Sequence, residues 1–498
     1  MPAFTPIPLG RPIPDSPHAV SCSLPTMRAV RGYEEKDPEI TRRLDSGYPR
    51  FVVHPFARRL AAHLGAAGQT LWLTSSARMA AELVRHLGPP SGAALFSRDG
   101  VNGVSHPESP ETGARAKVYL QNIGGFIPSR EAERHLVRLG QLAAVNPEET
   151  FPGEATAEIR RNLRRAIPGA GDADLLLANS GMNAVYSAFR AVSDLQAARG
   201  RTIWVQLGWL YLDTIAILEK FPPTPEDRVH IHDVVALASL ERLFAEKGSR
   251  IAGVFSEVPT NPLIQTPDVP ALAALCRRHG ARLILDPSIA SAYSVDILRH
   301  CDLLATSLTK YTAGEGDILA GLVAVNPAGP DAAELRRSAA ERLEPAYAGD
   351  LSRLAVEIQT TESLLAIVQR NTAQVAAFLS GHPRVKEVLW ALHPASRAHF
   401  QAISRSPESV GGLISFTLRG PMEPFYDRLV LPKGPSFGMR TTLICPYMYL
   451  AHYDLVGKVP VSPEITASGI DPDLLRLSVG VEPAADIIAS LEAALAGA

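Results

Sequence analysis

A chain of 498 residues, 46% hydrophobic and 20% charged, has globular composition and enough length for two to four domains. Its net charge of −2, from 49 basic and 51 acidic residues without a long single-sign run, gives no footing for nucleic acid or an anionic membrane. There is no membrane-length apolar run, no signal-peptide start, no CxxC among Cys22, Cys276, Cys301 and Cys445, and no ligand spacing among the 14 histidines, so the expectation is a soluble cytoplasmic protein without a metal.

Seven prolines in the first 25 residues predict an extended arm poor in hydrogen-bonded structure. A polar, helix-prone piece follows and ends at Gly47-Tyr48-Pro49-Arg50. Residues 51–153 read as an enlarged or inserted α/β segment in which no chemical motif stands out. It carries a strand at Thr70–Thr74 and a helix over Ala77–Leu87, capped by Ser76 and closed by Gly88. Beyond these come a loop at Ser105–Gly113, a candidate strand at Val118–Leu120 and a helix at Arg130–Leu139.

From Glu154 a helix leads into the apolar run Leu175–Ala178, the turn Asn179-Ser180-Gly181-Met182, and a helix with Val185, Phe189 and Val192 on one side. Ser180 stands where an N-cap belongs and Gly181 admits close backbone approach. The unsatisfied first amides of that helix make an anion site. Trp204–Leu207 then precedes Gly208-Trp209-Leu210-Tyr211-Leu212-Asp213-Thr214.

Between Ile251 and Val325, short apolar runs alternate with polar turns and a helix that begins at Pro270 and stops at Gly280. That is the pattern of a parallel sheet covered on both faces. Chemistry gathers at the carboxyl ends of such strands, where Glu257, Asn261, Asp286 and Lys310 fall. Lys310 stands 24 residues after Asp286. A lysine so placed can form a Schiff base with an aldehyde cofactor, and a buried aspartate can keep a pyridine nitrogen protonated. Ser307 and Thr309 offer two hydroxyls to a phosphate.

After Val325 the helical stretches Ala332–Leu343 and Tyr347–Leu379 lead to a smaller C-terminal α/β domain, with a strand at Gly411–Leu418 and a helix at Asp486–Ala498. Two of its motifs are Lys433-Gly-Pro-Ser436-Phe437-Gly438 and Arg476-Leu-Ser-Val-Gly-Val-Glu482. The expected division is 1–50 arm, 51–153 inserted segment, 154–335 cofactor domain, 336–370 linking helices and 371–498 small domain.

Ser307-x-Thr309-Lys310-Tyr311 with Gly314-x-x-Asp317, Glu257-x-Pro-x-Asn261-Pro262, Ser180-Gly181-Met182 and Arg476-x-Ser-x-Gly-x-Glu482 together resemble the Cys/Met-metabolism family of pyridoxal 5'-phosphate (PLP) enzymes. The stretches GYPRFVVHP, QLGWLYLDT, EVPTNPLIQTPD, DPSIASAYSV and KGPSFG resemble its longer, fungal-type cystathionine γ-synthase branch. The resemblance implies PLP fold type I, aspartate aminotransferase-like: a large, mostly parallel-sheet cofactor domain plus the smaller C-terminal domain. It further implies that Lys310 bears the PLP and that Asp286 faces its ring nitrogen. Ser180, Gly181, Met182, Ser307 and Thr309 hold its phosphate, Tyr211 stacks on its ring and Asn261 donates to its phenolate oxygen. Arg476 forks onto the substrate carboxylate and Ser436 lines the substrate site. Tyr48 and Arg50 reach the phosphate in a neighbouring subunit, which requires a homodimer or homotetramer with shared active sites. Lys310 is the expected base, with Tyr211 or Tyr48 assisting. Leu212 and Asp213 replace two glycines usual in relatives, and Glu315 replaces a usual His.

The implied reaction is γ-replacement on an O-acylhomoserine with cysteine, giving cystathionine for methionine biosynthesis. Alternatives on the same scaffold are an O-acylhomoserine sulfhydrylase and a cystathionine- or methionine-type C–S lyase. A non-catalytic PLP-fold protein is the reading from a different class, and the Asp286, Lys310 and Arg476 set argues against it.

Overall fold

The computed structural model describes residues 4–47, 52–457, 462, 465 and 468–497. The proline-rich start is tied down along much of its length, contrary to the expectation of an arm poor in hydrogen bonds. Strand β1 (Pro12–Ile13) pairs antiparallel with β2 (Ser21–Cys22). Val20 N donates to Gly316 O at 2.8 Å and Leu24 N to Lys433 O at 2.9 Å. The prolines leave intervening amides free to pair with the rest of the fold, and Leu24, Met27 and Val30 are buried against Met422 and Phe425.

Strands β3 (Gln69–Thr74), β4 (Ala94–Arg98) and β5 (Val101–Pro107) form an antiparallel sheet with β5 in the middle. The expected loop at Ser105–Gly113 and strand at Val118–Leu120 are both corrected here. β5 runs through Pro107, and a helix spans Pro110–Ile123. Ser109 caps it by accepting from Thr112 N, Pro110 occupies its first turn, and Ala116, Leu120 and Ile123 line its buried side. Helical spacing leaves Val118 41% exposed, which a strand in a two-faced sheet would not.

Among the described residues, the largest sheet has the order β6 (Leu175–Ala178), β12 (Gly321–Val325), β11 (Leu303–Ser307), β10 (Arg282–Asp286), β9 (Ile251–Glu257), β7 (Ile203–Leu207), β8 (Arg228–Ile231). Strand β12 runs against its two neighbours and the others are parallel to one another. The period of two sorts side chains into two cores. Leu283, Leu285, Leu304, Leu322 and Ala324 face the helix Val269–His279. Ile284, Leu303, Ala305, Val323 and Val325 face the helix Gly181–Ala197 through its Val185, Phe189 and Val192. Each fully buried Leu, Ile or Val contributes about 1.5–3 kcal/mol. This is fold type I.

The helices Ala348–Glu357 and Thr361–Gly381 lead to an antiparallel sheet ordered β13 (Val385–Leu389), β14 (Leu413–Leu418), β16 (Leu475–Ser478), β15 (Leu443–Pro446). Leu475 and Leu477 enter its core beside the C-terminal helix Ala484–Ala496. Arg476 lies between them and therefore takes the opposite face. Among the described residues no helix is long and apolar enough to cross a membrane.

Candidate active site

The carboxyl ends of the large sheet and one face of the small sheet line a cleft. Register sets its floor. Asp286 ends β10 directly beside Glu257 at the end of β9, and Ser307 ends β11 opposite Gly321. Past Ser307 the chain turns, bringing Lys310 back to the cleft, where the residue is 8% exposed.

Burial pushes the Asp286 carboxyl up to about 6, against the opposing pull of hydrogen bonds from Ser288 N (2.8 Å) and Ser288 Oγ (2.6 Å). Burial, and then the charge of Asp286, hold the Glu257 carboxyl well above its ordinary range. Two carboxyls side by side resist joint ionisation until a cation arrives. Glu257 Oε1 accepts from Tyr211 N, while Glu257 Oε2 is buried with no hydrogen-bond partner. Through that tie Glu257 acts structurally, fixing the start of the helix Leu212–Lys220.

The anion turn lies at the end of β6. Ser180 Oγ accepts from Asn183 N at 3.2 Å, and the amides of Gly181 and Met182 belong to the open first turn of the helix. A Cβ on Gly181 would come within 2.7 Å of Ser307 Cβ, so only glycine lets the two strand ends close up. Ser307 Oγ is buried there with no hydrogen-bond partner. Thr309 is placed differently from Ser307: its hydroxyl accepts from Ala320 N at 3.1 Å and donates to Ala320 O at 3.4 Å.

The opposite wall is a continuous polar chain. Lys310 Nζ donates to Ser436 Oγ at 3.0 Å, Arg476 Nη2 donates to Ser436 O at 3.0 Å, and Arg476 Nη1 donates to Asn261 Oδ1 at 3.0 Å. Asn261 Nδ2 donates to Tyr447 Oη at 2.8 Å. The Arg476 guanidinium also sits 4.7 Å from the Tyr447 ring centroid and 5.1 Å from that of Phe437. Ser436 has φ of +78°, a conformation non-glycine residues rarely adopt. It thereby aims its hydroxyl at the lysine and its carbonyl at the arginine.

The structure thus brings Lys310, Asp286, Asn261, Ser307, Gly181, Met182, Tyr211, Ser436 and Arg476 around one cleft, with Ser180 at its edge and Thr309 behind it. Tyr48 and Arg50 lie outside the described residues. Sequence reasoning missed Tyr447, Phe437 and Ser288 as site residues. The position of Tyr447 just past a strand paired with that of Arg476 was the available signal. Glu315 meets Arg440 at 3.4 Å, both partly exposed, outside the cleft lining.

An unpartnered hydroxyl beside a glycine-only helix start suits a phosphate, and a buried carboxyl raised to about 6 suits a protonated ring nitrogen. A lysine amine in the same cleft suits an aldehyde. The residues present fit PLP. Among the described residues no cluster of three or more His, Cys, Asp or Glu could hold a metal ion.

Comparison with known proteins agrees with this chemistry. The sequence profile of the "Cys/Met metabolism PLP-dependent enzyme" family matches residues 159–496. An L-2-amino-4-chloropent-4-enoate dechlorinase/desaturase of Streptantibioticus cattleyicolor is 39% identical over 477 residues, 95% of this chain and 95% of that one. The cystathionine gamma-synthase of Neurospora crassa is 26% identical, the alignment covering 97% of each chain. A crystal structure of cystathionine gamma synthase from Xanthomonas oryzae pv. oryzae, in complex with aminoacrylate and cysteine, matches with a TM-score of 0.58 at 22% identity, over 71% of this chain and 92% of that one. That last likeness carries the fold alone.

Proposed function

We propose that this chain, which belongs to the Cys/Met metabolism family of PLP-dependent enzymes and so works with pyridoxal 5'-phosphate, removes a compact leaving group from the γ-carbon of an L-α-amino acid. When bound, PLP supplies an aldehyde that condenses with amines and a ring that draws electrons from the substrate's α-carbon. Lys310 would carry it, Asp286 would hold its ring nitrogen, and Ser307 with the Gly181–Met182 amides would hold its phosphate.

The chain's own residues do the rest. Arg476 offers a planar fork to the substrate carboxylate, and its position is set by Asn261 and the Ser436 carbonyl. Substrate anchored there presents its α-hydrogen to the Lys310 amine, which Ser436 Oγ holds on the same wall. Lys310 takes that proton and gives it back to the substrate skeleton before product leaves. The γ-substituent departs with its bonding electrons as an anion and a proton departs from Cβ to the basic amine, so that HX is lost overall and the Cβ–H electrons form the new Cβ–Cγ bond. Phe437 and Tyr447, packed on the Arg476 guanidinium, line the cleft with Leu450 and Ala451, a mostly apolar set that suits an uncharged γ-substituent.

The observation that supports this reading is the Lys310–Ser436–Arg476 hydrogen-bond chain, in which an amine and a guanidinium share one wall. The choice of leaving group is supported by the relative whose name puts chlorine on the γ-carbon. The second reading, γ-replacement on an O-acylhomoserine with cysteine to give cystathionine, is supported by the Neurospora relative. Assembly as a homodimer or homotetramer and a place in methionine biosynthesis rest on the sequence resemblance, and a cytoplasmic location on the composition reading.

Product analysis separates the two. The enzyme is given a γ-chloro-α-amino acid, or O-acetyl- or O-succinylhomoserine, each with and without cysteine. Chloride released without thiol supports elimination. Cystathionine formed only with cysteine, with no chloride release, replaces it by the second reading.

A further inference from the structure

The segment Gln121–Gly125 lies outside the residues matched by the family profile, yet it packs directly on two parts of the cofactor site. On one side it meets the anion turn. Asn179 Nδ2 donates to Gly124 O at 2.8 Å and Asn183 Nδ2 to Ile123 O at 3.1 Å. A Cβ on Gly124, whose φ is +66°, would come within 2.1 Å of Ser180 Oγ, so the two segments touch as closely as backbone allows.

On the other side it meets the helix that begins after Tyr211. Asp213 Oδ1 accepts from Gln121 Nε2 at 2.7 Å and from Asn122 Nδ2 at 2.9 Å, and Asn122 Oδ1 accepts from Lys220 Nζ at 2.7 Å. Asp213 is 1% exposed. The anchor therefore grips a residue two positions from Tyr211, while Glu257 grips the Tyr211 amide from below. The resemblance implies glycine in relatives where this chain has Leu212 and Asp213; here the helix starts at Leu212 and its second residue is clamped.

We infer that Gln121 and Asn122, acting through Asp213, are positioning residues that set the Tyr211 ring over the cofactor, making the segment N-terminal to the family-matched region part of the cofactor-holding machinery. The inference rests on the reading that Tyr211 faces PLP. Releasing Asp213 from its two donors is expected to reach Tyr211 as about a tenfold change in cofactor retention, or about 1.4 kcal/mol.

The test uses the PLP-loaded enzyme and reads two signals: the visible circular dichroism of the bound cofactor and the rate of cofactor loss on dilution. Asp213→Ala is expected to shrink the dichroic band and speed loss about tenfold, and Asp213→Asn, which keeps an oxygen acceptor for both donors, to restore most of both. Gln121→Met, a milder change, covers the case in which Asp213→Ala does not fold, and is expected to move the same signals in the same direction. Leu83→Val, a cavity in the same domain's core, is expected to lower the melting temperature without moving the dichroism. Wild-type dichroism and retention in Asp213→Ala or Gln121→Met, while Tyr211→Ala alters both, would overturn the inference and leave the active-site reading intact. If Tyr211→Ala alters neither, the stacking role of Tyr211 fails and the inference fails with it.

Discussion

The two walls of the cleft are held by different forces. On the large-sheet side, Asp286, Glu257 and Ser307 are fixed by strand register and by cores on both faces, so their positions follow from burying Leu283, Leu285 and Leu304. On the small-domain side, strand register sets the backbone of Arg476 on β16 and brings Tyr447 in just past β15. Their side chains, however, are oriented by hydrogen bonds of 2.8–3.0 Å to Ser436, which has positive φ, and to Asn261, which reaches across from the large domain. The first arrangement suits a resident cofactor. The second suits a substrate that comes and goes, because each of its groups can exchange a protein partner for a ligand. Substitutions should therefore separate: cofactor signals from the first wall, substrate signals from the second.

The largest effect should come from the one residue that serves both walls. Lys310→Ala is expected to lower kcat by about 10²–10⁴-fold while the melting curve stays close to wild type, measured by steady-state turnover and calorimetry. Asp286→Asn comes next and should act on the cofactor alone, weakening PLP retention by about a hundredfold, read by titrating apo protein. Its pH behaviour sharpens the point. The Asp286 carboxyl rises from 3.8 to about 6 in the folded apo protein, above its unfolded value. Its contribution to apo stability is therefore present in acid and lost as pH climbs through about 6. Bound PLP offers the ionised carboxylate a partner, so the cofactor's stabilising increment should grow from pH 5 to 7 in the wild type. In Asp286→Asn that growth should shrink.

Arg476→Lys belongs to the second wall. Losing the fork should raise KM for the amino acid by about tenfold while PLP retention holds, separable by kinetics and absorbance. The smallest effect is expected from Tyr447→Phe. The Asn261 amide loses its acceptor at 2.8 Å, costing about 1 kcal/mol, or about fivefold in KM, with kcat less affected. A fall in PLP retention in Arg476→Lys would collapse the distinction between the walls.

The sequence was informative where one residue type has one use. The apolar runs announced covered strands, and the spacing from Asp286 to Lys310 with Ser180-Gly181 announced a phosphate-bearing aldehyde cofactor. It was less informative where position depends on partners far along the chain. Tyr447 becomes a site residue because β15 pairs with β16, a contact no local pattern specifies. The helix Pro110–Ile123 reads locally as loop and strand because its polar start resembles a turn, and its burial on one side is decided by tertiary packing. The proline-rich start departs from expectation for the same reason, since its amides pair with Gly316 and Lys433, some 300 and 400 residues away. Thr309 resembles a phosphate ligand beside Ser307, but its hydroxyl is bonded to the Ala320 backbone.

In the proposed reaction Lys310 moves the α-proton of a substrate whose carboxylate is held by Arg476. The most direct measurement is deuterium exchange at Cα, followed by NMR in deuterated water, on an L-α-amino acid that lacks a leaving group. Wild-type enzyme should exchange Cα rapidly, Arg476→Lys should exchange at comparable saturated rate but at higher substrate concentration, and Lys310→Ala should not exchange. Wild-type exchange in the Lys310→Ala protein would show that Lys310 does not move that proton.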